Sequence, residues 1–188
     1  MKLYYVGTLF IFIITLSGCL SDVDMTFCTE IEESTKEIRD SILSTFDLLK
    51  TFGFTDFTLT SKNAIIPVIY YLYHKNIYKD FSTKTEFKEE REIIKKWLHI
   101  VLIKKIFGGT SDSVLSQIRK AFTDNVIETK IKAEIITFPI DSIFNYIRKD
   151  TSVGEEFIEE ILFTQKDNKY AFSILSLLFP DLDYKNNN

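Results

Sequence analysis

The stretch from Ile93 to Phe122, IIKKWLHIVLIKKIFGGTSDSVLSQIRKAF, limits what this chain can fold into more than any other part of it. From Trp97 to Phe107 apolar residues fall on nearly every side of a helix, and a helix without a polar face has to sit inside a domain. Gly108-Gly109 breaks it, and Thr110, Ser111 or Asp112 opens the next helix as a capping residue. The expected fold is therefore all-α, an irregular multi-helix bundle around a central apolar helix from about Lys84 to Phe107.

The other segments supply helices to pack around that centre. Glu30 to Phe52 is expected to be amphipathic, with Ile31, Ile38, Ile42, Phe46 and Leu49 on its apolar side and Gly53 as its left-handed cap. Thr60 or Ser61 starts a second apolar helix from Asn63 to His74, in which Pro67 lies about one turn in and is expected to bend the axis. Lys84 to Lys96 carries charges four residues apart, the spacing of exposed ion pairs. Thr123 to Thr137 is a short helix or an extended arm. Further helices are expected near Asp141 to Lys149, over Gly154 to Phe163 and over Tyr170 to Phe179, the last ended by Pro180.

At 188 residues the chain is long enough for one domain with a sizeable core. A net charge of -4 is not that of a nucleic-acid binder, which usually carries a basic surplus. Seventeen Phe and nine Tyr against six Gly and three Pro leave little room for long loops. Cys19 and Cys28 are too few and too far apart for a zinc site or a disulfide framework.

The N-terminus carries two readings. Lys2, the apolar run Leu3 to Leu16 and the sequence Leu16-Ser17-Gly18-Cys19 have the order of a bacterial lipoprotein signal, with Cys19 the lipidated residue. The same run also reads as a buried helix. The expected division is residues 1–20 as apolar helix or signal, 21–180 as helical domain and 181–188 as polar tail.

Each residue with chemical potential has a plainer structural use. Tyr70, Tyr71, Tyr73 and Tyr78 can stack bases, but tyrosines suit the edge of a core. His74 beside Lys75 complements a helix dipole. His99 reads as a hydrogen-bonded core or boundary histidine. Glu155, Glu156, Glu159 and Glu160 resemble paired carboxylates, yet no histidine follows at ligand spacing, so they read as a solvated face. Lys104, Lys105 and Ser111 flank the Gly-Gly break, where free amides and the helix dipole favour a phosphate. GGTSDS is not a P-loop, because the GK[ST] ending and a preceding strand are missing. No catalytic, cofactor-binding or metal-ligating residue is expected.

Three blocks together resemble a known family. They are LTSKNAIIPVIYYLYHKN at Leu59 to Asn76, IKKWLHIVLIKKIFGGTSDSVLSQIRKAF at Ile94 to Phe122, and FIEEILFTQKDNKYAFSILSLLFPDLDYKN at Phe157 to Asn186. In this order they are similar to the helical middle region of GmrSD-type restriction proteins. That family joins a ParB/sulfiredoxin-like nucleotide-hydrolysing domain to an HNH nuclease and attacks modified phage DNA. The family's Asp-Gly-Gln-Gln-Arg motif and its HNH histidines have no counterpart in these 188 residues, so no catalytic residue carries over. The resemblance implies a non-catalytic, cytoplasmic, truncated fragment of an antiviral restriction system, without a cofactor. Its partners would be the nucleotide-hydrolysing and nuclease domains, with DNA reached only through the larger assembly. The alternative is a helical lipoprotein of unknown role, anchored to the membrane through Cys19.

Overall fold

Helix α1 covers Met25–Thr51. It ends where a left-handed cap is available. Gly53 has φ +82°, and the amides of Phe52, Gly53 and Phe54 bond back to Leu48, Lys50 and Leu49. The computed structural model describes residues 25–109, 111–128, 133–135, 137–152 and 154–180. The apolar run at 1–20, including Cys19, and the polar tail at 181–188 lie outside them. Two compact units divide the chain, Met1–Glu37 and Ile38–Asn188. Of the first, the described part is the helical stretch 25–37. Every element beyond residue 37 belongs to the second.

The expected apolar side of α1 holds only in part. Leu49 is buried and Ile42 half-buried, but Ile38 and Phe46 are 42% and 44% exposed, and Ser41, Thr45 and Leu48 are buried. Small hydroxyl residues can take the inner positions because they satisfy themselves. The Thr45 hydroxyl donates to the Ser41 carbonyl at 2.8 Å.

A 3-10 turn over Lys62–Ile65 leads into α2, Ile66–Lys75. Pro67 lies at the first positions of α2. It starts the helix instead of bending it, since an amide there would have no intrahelical acceptor. Asn76, with φ +57°, closes α2. A second 3-10 turn, Thr85–Phe87, precedes the central helix α3, Lys88–Ile103. Arg91 clamps this approach by donating to the carbonyls of Phe81 at 2.8 Å and Lys84 at 2.6 Å.

From Trp97 to Ile103 every residue of α3 is buried. The helical hydrogen bonding stops before the expected Phe107. Lys105 adopts φ +51° and the amide of Ile106 reaches back to Val101, so Lys104 to Phe107 fold as a tight turn with Ile106 and Phe107 still inside. Gly109, at φ +81°, completes the reversal.

Helix α4, Ser111–Asp124, buries Val114, Ile118, Ala121 and Phe122, a stripe at helical spacing. Of the segment Thr123 to Thr137, Thr123 and Asp124 still belong to α4, and the extended alternative holds at 126–128 and 133–135. Strands β1, Val126–Glu128, and β2, Ala133–Ile135, pair antiparallel with Ile127 opposite Glu134. This ribbon is a minor addition to a fold that is otherwise all-helical.

Three short helices finish the domain: α5, Ile140–Tyr146; α6, Glu155–Leu162; and α7, Ala171–Leu178. Helix α5 packs on α4, and α7 packs on α3. The core joins Leu48, Leu49 and Phe52 to Val68, Tyr71, Leu72, Trp97, Leu98, Phe122, Phe138 and Ile143. Its centre is aromatic. Trp97 and Phe138 stand edge to face at 5.2 Å, and Phe138 meets Tyr71 at 5.4 Å and Phe122 at 5.7 Å.

Candidate functional site

The Gly-Gly break is the first place to look for a ligand, because sequence puts two lysines and a helix N-terminus there. Lys104 follows the last turn of α3, and its ammonium donates to the Asp150 carboxylate at 3.0 Å. It also lies 3.8 Å from the centre of the Phe157 ring. Lys105 points its ammonium towards Tyr170, 5.2 Å from the ring centre. The Ser111 hydroxyl donates to the Phe107 carbonyl at 2.7 Å.

A third lysine completes the arrangement. The Lys149 ammonium donates to the carbonyls of Ile106 and Gly108, both at 2.7 Å, and so satisfies turn carbonyls that the ended helix leaves free. Asp150 is held well below the usual carboxylate range, at about 2, by hydrogen bonds from the Ser152 hydroxyl and amide, then by Lys104. These contacts tie the segment around residue 150 to the end of α3. Lys104 is already neutralised and the Ser111 hydroxyl already donates, so neither presents a free group to a phosphate.

A second constellation is encoded by no short motif. The Tyr71 hydroxyl donates to Glu90 at 2.7 Å, Lys75 donates to the other oxygen of that carboxylate, and Lys75 also reaches the Tyr71 oxygen at 3.1 Å. Both charged side chains are largely covered. Burial, then the bond to Glu90, pushes the Tyr71 hydroxyl far above its ordinary value, so it stays protonated and keeps donating. The triad bolts α2 to the first turn of α3. Removing one partner strands the others, so Glu90→Ala is expected to destabilise the protein by about 2–4 kcal/mol, and Tyr71→Phe by about 1 kcal/mol, in urea unfolding.

The third is the seam between α3 and α7. His99 is 1% exposed, stacked on Phe54 at 4.8 Å and edge-on to Phe172 at 5.6 Å. Neither ring nitrogen has a hydrogen-bond partner among the described residues, contrary to the expected hydrogen-bonded histidine. The hydroxyls of Ser173 and Ser176, on the buried side of α7, are likewise unpartnered. Burial, helped by the Lys95 ammonium, pushes the imidazole down to about 3. It is therefore uncharged at neutral pH and poorly matched to general base work there.

The remaining candidates fall where the plainer readings place them. Tyr71 and Tyr78 are buried in the core, with Tyr70 and Tyr73 at its edge. Glu155, Glu156, Glu159 and Glu160 are exposed on α6. Among the described residues no three His, Cys, Asp or Glu side chains gather as a metal site, and no helix is long and apolar enough to cross a membrane.

The fold and these sites together define an all-helical domain in which one polar cluster, Tyr71, Lys75 and Glu90, joins α2 to α3, while the polar groups of the seam between α3 and α7 have no partner among the described residues. No protein-family model and no curated protein matches the chain.

Proposed function

We propose that this chain is a non-catalytic helical connector of a GmrSD-like, modification-dependent DNA restriction system. It acts in the cytoplasm, where it positions a nucleotide-hydrolysing domain relative to an HNH nuclease and meets DNA only as part of that assembly. The sequence resemblance motivates the reading. The observation that carries it is the apolar surface of the third resembling block, in which Leu162, Phe163 and Phe179 are 63%, 88% and 54% exposed. Covering a large apolar side chain is worth about 1.5–3 kcal/mol, so such a surface favours a docked neighbour. In the family this block precedes the nuclease.

The test is to express the chain with the nucleotide-hydrolysing and HNH domains of a GmrSD-type protein. Expected are co-purification and a drop in plating of phage with modified DNA, both lost in a Phe163→Asp/Phe179→Asp variant. Absence of both complex and restriction defeats the reading. Intact mass adds an independent check, since a product starting at Cys19 with added lipid mass contradicts the cytoplasmic placement.

A further inference from the structure

Helix α6 is an unusual surface helix, because none of its residues is buried. Its inner side is half-buried Phe157 and Ile161, with the Phe157 ring seated on the Lys104 ammonium. Ile158 and Leu162, one turn apart, are left open to solvent. Glu155 and Glu159 form a parallel row one turn apart, and Glu156 and Glu160 lie beyond it. Among the described residues none of these four carboxylates has a salt-bridge partner. At the end of the helix the open ring of Phe163 joins Glu160, Thr164, Gln165, Asp167 and Asn168 around a shallow depression of about 470 Å³.

We infer that α6 and the turn after it dock an amphipathic helix of a protein partner that carries Lys or Arg beside its apolar stripe. Charge complementarity selects this occupant. Ile158 and Leu162 accept apolar side chains, while the unpaired carboxylates alongside call for cations. An aromatic face next to two carboxylates in the depression suits an ammonium or guanidinium head, which gains from both the ring and the charges. A second copy meeting the same face across a twofold axis would set these glutamates against one another. An anionic lipid surface would be repelled in the same way. The inference deepens the connector reading by giving the chemistry of the docked partner, and it fails separately from that reading.

The probes are two fluorescein-labelled model helices of roughly five turns, one with Leu and Lys faces and one with Leu and Glu faces. Fluorescence anisotropy with the full chain is expected to show binding of the Leu/Lys helix at least about tenfold tighter than the Leu/Glu helix, weakening with salt. Leu162→Ala/Phe163→Ala should weaken it about tenfold. Glu159→Lys/Glu160→Lys should reverse the preference. The control reversal Glu32→Lys/Glu33→Lys, on α1, should leave it unchanged. All substituted residues are exposed, and circular dichroism confirms that each variant folds.

The inference is overturned if the control reversal acts as strongly as the α6 reversal, or if the Leu162/Phe163 variant binds normally. It is equally overturned if phosphatidylserine vesicles are bound in preference to the Leu/Lys helix, or if sedimentation shows a homodimer that Phe163→Ala dissolves. Should the model helix not bind while the nuclease-domain complex forms, the connector reading stands and this inference falls.

Discussion

Replacing Trp97 with alanine is expected to lower the unfolding free energy by about 3–5 kcal/mol in urea titrations at neutral pH. That is a large share of the roughly 5–15 kcal/mol that holds a typical domain folded. Trp97 is 0% exposed and stands edge to face with two rings, Phe138 at 5.2 Å and Phe107 at 6.4 Å. Through Phe138 it supports Tyr71 and Phe122, which belong to α2 and α4. Its indole N–H is buried without a partner among the described residues. Trp97→Phe removes that orphaned donor while keeping much of the ring, so its cost should be smaller, about 1–2 kcal/mol. Phe46→Ala, at an exposed position on α1, is the reference and should cost under about 1 kcal/mol. If Trp97→Ala costs no more than Phe46→Ala, the aromatic centre does not hold the helices together.

The ordering of these effects shows what the sequence can reveal. Trp97 was legible as a core residue because apolar residues on nearly every side leave a helix no choice of face. Helix α1 had a choice. Its apolar residues are spread over a wide arc, and a hydrophobic period cannot register that Ser41 and Thr45 are able to go inside. Helix α7 repeats the difficulty more sharply, with Ser173 and Ser176 buried while Leu175 and Leu178 are exposed. Side-chain polarity alone does not give the inner face there, which mixes Ala171 and Ile174 with the two serines and sets Phe172 against His99.

Candidate sites were less legible than helices for a related reason. Lys104, Lys105 and Ser111 were found from local spacing, but their contacts with Asp150, Tyr170 and the Phe107 carbonyl are set by chain packing. Tyr71, Lys75 and Glu90 come from two helices separated by a long connection, and no short motif encodes their meeting. The only signal was a lysine in the last turn of one apolar helix and a glutamate in the first turn of the next. Interior polar groups with partners, such as this triad, hold the helices in place. The seam without partners behaves differently, and acid is the means to see it.

Stability is expected to fall as the pH is lowered from 6.5 towards 3, and His99→Phe should remove much of that fall. The His99 imidazole is displaced from its ordinary value of 6.5 down to about 3, first by burial between Phe54 and Phe172 and then by the Lys95 ammonium. A base whose folded value lies below its unfolded one binds fewer protons when folded. Its neutral form therefore favours the fold above pH 6.5, and that advantage drains away as protons are offered to the unfolded chain. Within the window the loss approaches about 1.4 kcal/mol per pH unit. Asp150, held at about 2, begins to give up its own contribution only near its ordinary value of 3.8, at the bottom of the range, so the informative quantity is the difference between the two proteins. Phenylalanine keeps a ring against Phe54 and Phe172 while discarding two buried nitrogens that have no partner among the described residues. Urea unfolding followed from pH 7 to pH 3.5 should show His99→Phe at least as stable as the parent at pH 7 and about 2–4 kcal/mol more stable at pH 4. Parallel curves for the two proteins would mean that His99 is solvated or hydrogen-bonded in solution, and that α7 does not seal the seam against α3.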